Sequence, residues 1–174
     1  MAAAPPAVTA VAEEGRGRLT YQPALDGLRA LALLAIFFFH AGFSWAPGAF
    51  LSVSTFFTLS GFLITSLLLT EHRSAGQVSL PTFWRRRLRR LLPASLAAIA
   101  CITIASAFLA DASQLSRLRG DALASLFYVA NWRFIAVGDS YGALFTTASP
   151  FQHFWTLAIE EQYYLLFPPV LVGL

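Results

Sequence analysis

One apolar stretch, residues 23–43, sets the strongest limit on how this chain can fold. It reads PALDGLRALALLAIFFFHAGF, and it has the length of roughly 20 residues that a helix needs to cross a bilayer. Yet the stretch contains Asp26, Arg29 and His40. Ionisable side chains within a span are costly and are rare unless they are used. The stretch therefore predicts a membrane-spanning helix that carries functional groups.

Arg29 and His40 are spaced so that they share one side of this helix. They lie 11 residues apart, which at about 100° per residue returns His40 to the stripe of Arg29, about 16 Å further along the axis. We interpret His40 as a positioned base and Arg29 as a group that orients others or binds an anion. The alternatives are that Arg29 extends to the membrane surface and that His40 only bonds a neighbouring helix. Asp26 is placed to pair with Arg29.

The remaining chain is apolar enough to supply further spans. Hydrophobic residues make up 57% and charged residues 12%, about half the charged share of a soluble domain. We predict an all-α, polytopic transmembrane helical bundle of about five helices in a bilayer. After residues 23–43, the expected helices are 49–70, 91–110, 122–137 and one from about residue 153, which Pro168 and Pro169 should kink or interrupt.

Charge predicts which connections face the cytoplasm. Residues 71–90 carry six arginines against one glutamate, a net charge of +5, so the positive-inside rule places this loop in the cytoplasm. The N-terminus then lies there too, with residues 1–20 as a disordered tail, and the linker 111–121 faces outward. The multi-pass protein is thus expected in the cell (plasma or inner) membrane. Residues 138–152 are predicted to form a further loop.

Two classes of partner are excluded by the same distribution. The net charge of +3 could suggest nucleic acid, but the arginines cluster beside the predicted spans, as topology requires. The single cysteine, Cys101, cannot form an internal disulfide and excludes a Cys-rich zinc site. We predict no metal site and no nucleic-acid partner.

The arginine cluster of residues 85–90 is a candidate polyphosphate site. On a helix, Arg87 and Arg90 point their guanidinium groups the same way, as do Arg86 and Arg89, and such pairs suit phosphates. The alternative is that the cluster sets topology and attracts anionic lipid, which is worth about 1 kcal/mol per residue.

Two adjacent carboxylates in the last apolar segment, HFWTLAIEEQYY, form a further candidate. If the segment is helical, His153 and Glu160 share a face. We interpret Glu160 as a functional group that polarises His40 or receives a proton. Glu161 points about 100° away and is interpreted as a hydrated carboxylate near the start of the helix.

Together these stretches resemble the acyltransferase-3 family of integral membrane acyltransferases. The motifs occur in the family's order over residues 21–174: ALDGLRALALL followed by His40, FFTLSGFLITSLLL, FWRRRLRRLLPA, YVANW and HFWTLAIEEQYYLLFP. The resemblance implies transfer of an acyl group, commonly acetyl from acetyl-CoA, to a hydroxyl of a carbohydrate or other glycan acceptor at the bacterial envelope. The acyl-CoA is then a donor substrate, and no permanently bound cofactor is expected.

The resemblance also assigns roles to individual residues. It implies an essential pair, a cytoplasmic Arg-x-x-Arg that meets the CoA donor, and the acid of a Trp-Ser-Leu-x-x-Glu motif. At these places the chain has, in that order, Arg29 with His40, Arg87 with Arg90, and Glu160.

The chain departs from the family pattern in two respects. Family members often have Gly-Val-Asp before a Phe-Phe pair, where this chain has Ser52-Val53-Ser54, so Ser54 is given no role. The family fold has about ten helices, so residues 21–174 are expected to be the N-terminal half of the acyltransferase domain. Two other classes stay open: a transporter or flippase-like protein in which His and Glu relay protons, and an inactive, truncated fragment whose arginines bind lipid.

Overall fold

The computed structural model describes residues 21–139 and 148–173. Over these ranges the predicted all-α class is confirmed, with a short 3-10 helix at Pro47–Leu51 and six α-helices. The α-helices are α1 Pro23–His40, α2 Ser52–Ala75, α3 Leu80–Leu109, α4 Ala112–Leu126, α5 Ala130–Ala136 and α6 Phe154–Gly173. The predicted tail 1–20 and the centre of the predicted loop 138–152 lie outside the described residues.

Three of these helical segments are long and apolar enough to cross a membrane: Pro23–His40, Pro47–Ala75 and Leu80–Leu109. They overlap the first three predicted spans, although the third begins at Leu80 and not near residue 91, and they make this a membrane protein. The fourth predicted span, a single helix over residues 122–137, is wrong. Its region holds α4 of 15 residues and α5 of 7 residues, each too short for a hydrocarbon layer about 30 Å thick at about 1.5 Å per residue. Helix α6 has 20 residues but is not among the three apolar segments.

The arginine cluster lies in a helix and not in the predicted loop 71–90. Helix α2 continues to Ala75, where Gly76 at φ 72° adopts the left-handed conformation and its N–H bonds the His72 carbonyl at 2.8 Å. Helix α3 then begins at Leu80 and runs for 30 residues, about 45 Å. Its arginine-bearing first turns therefore extend beyond the part that a hydrocarbon layer can hold. The prediction failed because net charge indicates a side of the membrane and carries no information on backbone conformation.

The segment 111–137 is also built differently from its prediction. The expected linker 111–121 is mostly helix α4, which begins after Asp111, whose backbone N–H donates to Gln114 Oε1 at 3.1 Å. The expected single helix 122–137 is broken between Leu126 and Ala130. At this break Tyr128 has φ 55°, a left-handed conformation that non-glycine residues rarely adopt. A strained residue inside an apolar run cannot be located from hydropathy.

The prolines of α6 do not interrupt it. Pro168 has no N–H to give to the carbonyl four residues earlier, that of Tyr164. The indole Nε1 of Trp84 donates to this carbonyl at 3.0 Å. The α-helix continues to Gly173, so the prolines do not interrupt it, and the alternative, a kink, stays a prediction. The donor that replaces the missing bond comes from α3, 80 residues earlier in the chain.

The chain divides into two compact units, the first ending at Val78 and the second beginning at Ser79. In the first unit, α1 packs against α2 and the 3-10 helix. The turn that follows α1 is filled by aromatic rings, with Phe38 at 5.0 Å from Trp45 and 5.4 Å from Phe43. These contacts hold the end of α1 that carries His40.

In the second unit, α3 and α5 pack against the neighbouring helices α4 and α6. Its core is a cluster of small and aromatic residues, Ala130, Phe134, Phe151, Phe154 and Ala158. The aromatic residues on either side of the start of α6 thus anchor that helix, and they fix where its two carboxylates lie.

Candidate active site

Helix α1 carries both residues of the predicted pair in the first unit. His40 is its last residue, and the imidazole Nδ1 lies 2.9 Å from the Ile36 carbonyl. A carbonyl oxygen only accepts, so Nδ1 holds the proton and Nε2 holds the lone pair of the neutral ring. The ring is exposed, and it meets Phe39 edge-on at 5.3 Å. This tautomer is the one that can accept a proton at Nε2.

The predicted pairing of Asp26 with Arg29 is observed. The two side chains approach to 3.7 Å and remain 53% and 31% exposed. Hydrogen bonding to the Asp26 carboxylate, followed by its negative charge, raises the pKa of Tyr21 above its ordinary value. A cavity of about 230 Å³ opens beside these groups, with Phe62 and Ser66 of α2 on its wall. Arg29 is therefore oriented by a neighbour while part of its guanidinium stays accessible.

The arginines of α3 are not equivalent. Arg87 is half-buried, with its guanidinium carbon 5.0 Å from the ring centre of Tyr164 and 5.6 Å from that of Phe83. Arginine stacks well on such rings, which restrains the side chain without using its hydrogen-bond donors. The other four are exposed: Arg85, Arg86, Arg89 and Arg90. In the predicted pair, then, Arg87 is held in place and Arg90 reaches toward solvent.

Glu160 is linked to Arg87 through a shared tyrosine. The Tyr164 hydroxyl donates to Glu160 Oε2 at 3.4 Å, a long hydrogen bond for two oxygens, and the same ring lies beneath Arg87. The second unit thus brings three of the five predicted residues into one neighbourhood, since Arg90 lies one turn from Arg87 on α3. The first unit carries the other two on α1.

Glu161, which was predicted to be a hydrated carboxylate, lines a cavity. It is half-buried, and its Oε1 atom is buried without a hydrogen-bond partner among the described residues. Arg87 lines the same cavity. The only sequence feature that pointed to Glu161 was a second carboxylate in an apolar helix. Helical spacing showed that its side chain points away from Glu160, but not that it lies near α3.

A buried ionic cluster in the second unit was not predicted. Asp121 is fully buried and accepts from Arg133 Nε at 3.1 Å and from Ser149 Oγ at 2.8 Å. A second ion pair joins Arg117 to Asp139. The charges were visible in the sequence, but treating residues 111–121 as a loop implied that Asp121 was hydrated. Over the described ranges, no group of three His, Cys, Asp or Glu residues is placed to hold a metal ion.

Comparison with known proteins identifies the class to which this arrangement belongs. Residues 22–174 match the acyltransferase domain of the acyltransferase-3 family, and the chain belongs to that family. It is 49% identical over 152 residues to the peptidoglycan O-acetyltransferase OatA of Listeria monocytogenes, a match that covers 87% of this chain and 24% of that protein. It is 44% identical over 154 residues to the O-acetyltransferase OatA of Staphylococcus aureus, covering 88% and 25%. The chain spans about a quarter of the length of these curated relatives. No solved structure matches it significantly.

Proposed function

We propose that this chain acts in a membrane O-acyltransferase that moves an acetyl group from acetyl-CoA to a hydroxyl of a cell-envelope glycan. The observation that carries the proposal is the 49% identity to a peptidoglycan O-acetyltransferase. All five candidate residues lie within the range that matches the family, 22–174. Peptidoglycan is the acceptor that this relative's name favours.

The donor is assigned to the arginines of α3. CoA carries several phosphates, and paired guanidinium groups bind phosphate oxygens in a fork geometry. Arg87 is held against two aromatic rings and Arg90 is exposed one turn away, so one cation is fixed and the other adapts. The charge of residues 71–90 favours a cytoplasmic position for this end of α3, the side on which CoA is available.

The transfer step is assigned to His40. Nε2 takes the proton of the acceptor hydroxyl as its oxygen attacks the thioester carbonyl, forming the new C–O bond. The C–S bond then breaks, and the sulfur leaves with the electron pair as a thiolate. The imidazolium returns the proton to that sulfur, which releases CoA as the thiol and regenerates the neutral ring. The bond from Nδ1 to the Ile36 carbonyl supports this role because it leaves the lone pair on Nε2.

Arg29 and Glu160 have supporting roles in this proposal. Arg29 stabilises negative charge on the donor or beside the base, and its pairing with Asp26 at 3.7 Å restrains it. Glu160 is assigned a supporting electrostatic role and takes up no proton in this scheme, and its contact with Tyr164 ties it to the helix face that meets Arg87.

Transfer of labelled acetyl from acetyl-CoA to a peptidoglycan acceptor tests the assignment. Replacing His40→Ala is expected to lower the rate by roughly 100-fold or more, the usual contribution of a general base. His72→Ala is the matched control, because His72 is an exposed histidine near the end of α2, outside the proposed site. Full activity in the His40→Ala protein would overturn the base assignment. Absence of acetyl transfer by the unmodified protein, with acetyl-CoA bound, would overturn the reaction itself.

A further inference from the structure

The cavity that holds Arg87 and Glu161 has the size and lining of a ligand site. It is an open cavity of about 480 Å³ between α3, α6 and the break between α4 and α5, within the usual range for small-molecule sites of about 300–1,000 Å³. Its wall is mainly apolar, with Leu88, Phe127 and Leu165 among the contributors. Arg87 from α3 and Glu161 from α6 place a cation and a carboxylate in this apolar surround.

Arg87 and Glu161 attract each other electrostatically, but they do not form an ion pair at contact distance. Glu161 Oε1 is buried without a hydrogen-bond partner in the described ranges. The ion pairs found there join other residues, not Arg87 to Glu161. A buried carboxylate oxygen without a donor costs free energy. A ligand that brings a donor to Glu161 would recover that cost.

The backbone at the cavity wall is strained and tied down. Tyr128 lines the cavity at φ 55°. Its hydroxyl bonds Ser95 Oγ at 2.8 Å, and its carbonyl accepts from Gln162 Nε2 at 2.8 Å. Strained residues fixed by their surroundings concentrate at ligand sites. These bonds restrain the backbone at this part of the cavity wall.

We propose that this cavity binds the amide-bearing arm of the acyl-CoA donor, with Glu161 accepting a hydrogen bond from an N–H or O–H of that arm. The proposal rests on the proposed function and adds Glu161 as a binding residue. The arm is long and largely apolar, with amide and hydroxyl donors at intervals, which matches an apolar cavity with one unsatisfied acceptor. Arg87 then lies at the phosphate end of the arm, and the exposed Arg90 meets the nucleotide phosphates. A lipid acyl chain would fill the apolar wall but brings no donor to Glu161.

Binding of donor fragments to the purified chain in lipid nanodiscs tests this assignment. The probes are acetyl-CoA, pantetheine (the arm alone) and the phosphorylated adenosine portion of CoA (the phosphates without the arm). Glu161→Leu is expected to weaken binding of acetyl-CoA and pantetheine roughly tenfold, the loss typical of one hydrogen bond to a charged group. Binding of the adenosine portion should not change. Glu161→Gln keeps one acceptor oxygen and should fall between.

Two controls separate a ligand contact from a structural one. Arg90→Ala should show the opposite pattern, with weaker binding of the adenosine portion and normal binding of pantetheine. Glu160→Leu removes the neighbouring carboxylate, which does not line this cavity, and should leave pantetheine binding intact although acetyl transfer falls. Because Glu161 Oε1 is buried without a donor among the described residues, Glu161→Leu should match or exceed the melting temperature of the unmodified protein, whereas loss of a structural contact would lower it.

The outcomes distinguish this proposal from the proposed function. If the unmodified protein binds acetyl-CoA and Glu161→Leu binds all three probes equally well, the arm is not in this cavity and the transferase assignment stands. If Glu161→Leu melts lower and loses all three probes together, Glu161 is structural and the proposal fails. If the unmodified protein binds none of the probes, the acyl-CoA donor itself is wrong.

Discussion

The two units differ in how deeply they bury the carboxylate of an ion pair, although the arginines Arg29 and Arg133 are about equally exposed, at 31% and 32%. In the first unit Asp26 and Arg29 lie on one helix and remain 53% and 31% exposed. In the second unit the carboxylate of Asp121 is fully buried and joins α4 to α5 through Arg133. An exposed ion pair contributes little to stability and stays available to a ligand. Removing one partner of a buried ion pair strongly destabilises the fold, because it leaves the other charge buried without compensation. The comparison indicates that the charges of α4 and α5 hold the fold, while a chemical role for the charges of α1 stays a prediction.

The largest expected effect comes from removing one partner of each pair. Arg133→Met leaves the buried Asp121 carboxylate without its cation and should lower the free energy of unfolding by about 3–5 kcal/mol. Arg29→Met should cost at most about 1 kcal/mol. Denaturant titration of the purified protein in detergent measures both. Equal losses in the two variants would show that burial does not separate the pairs as described.

A smaller loss of stability is expected when Gly120, which lies close to the Arg133 side chain, is replaced by a residue with a Cβ. A Cβ at Gly120 would lie 2.6 Å from Arg133 Nη2 and 2.8 Å from Cζ, too close for a guanidinium already bound to Asp121. Gly120→Ala should therefore displace Arg133 and cost about 1–3 kcal/mol. Gly48→Ala is the control in the first unit, since nothing lies within 4 Å of a Cβ there. A Gly120→Ala protein as stable as Gly48→Ala would mean that Arg133 moves without loss of its ion pair.

The sequence predicted best what depends on local pattern. Length and hydropathy located α1, and helical spacing predicted the pairing of Asp26 with Arg29. Each of these features depends only on residues that are close together in the sequence. The burial of Asp121 was missed because its partners Arg133 and Ser149 lie 12 and 28 residues further along the chain, and no local pattern joins them.

For the candidate site, too, the sequence predicted the residues but not how they pack against other helices. The five site residues follow from motif resemblance, and their roles stay predictions. What the sequence could not show is that Arg87 differs from its neighbours, because that depends on the ring of Tyr164 in α6. The position of Glu161 in the cavity was hidden for the same reason, since a helical wheel describes one helix and not its packing.

The smallest expected effect tests the bond that lets α6 continue through its prolines. Trp84→Phe removes the indole N–H that donates to the Tyr164 carbonyl at 3.0 Å and should cost about 1–2 kcal/mol. Pro168→Ala restores a backbone N–H four residues after Tyr164, so the carbonyl regains a helical donor. In that background the Trp84→Phe substitution should cost measurably less, and a double-mutant cycle of unfolding free energies gives the coupling. Within residues 21–78 of the first unit there is no equivalent, since Pro23 and Pro47 both stand at helix starts, where a missing N–H costs nothing. Additive losses would mean that the indole contributes by packing alone.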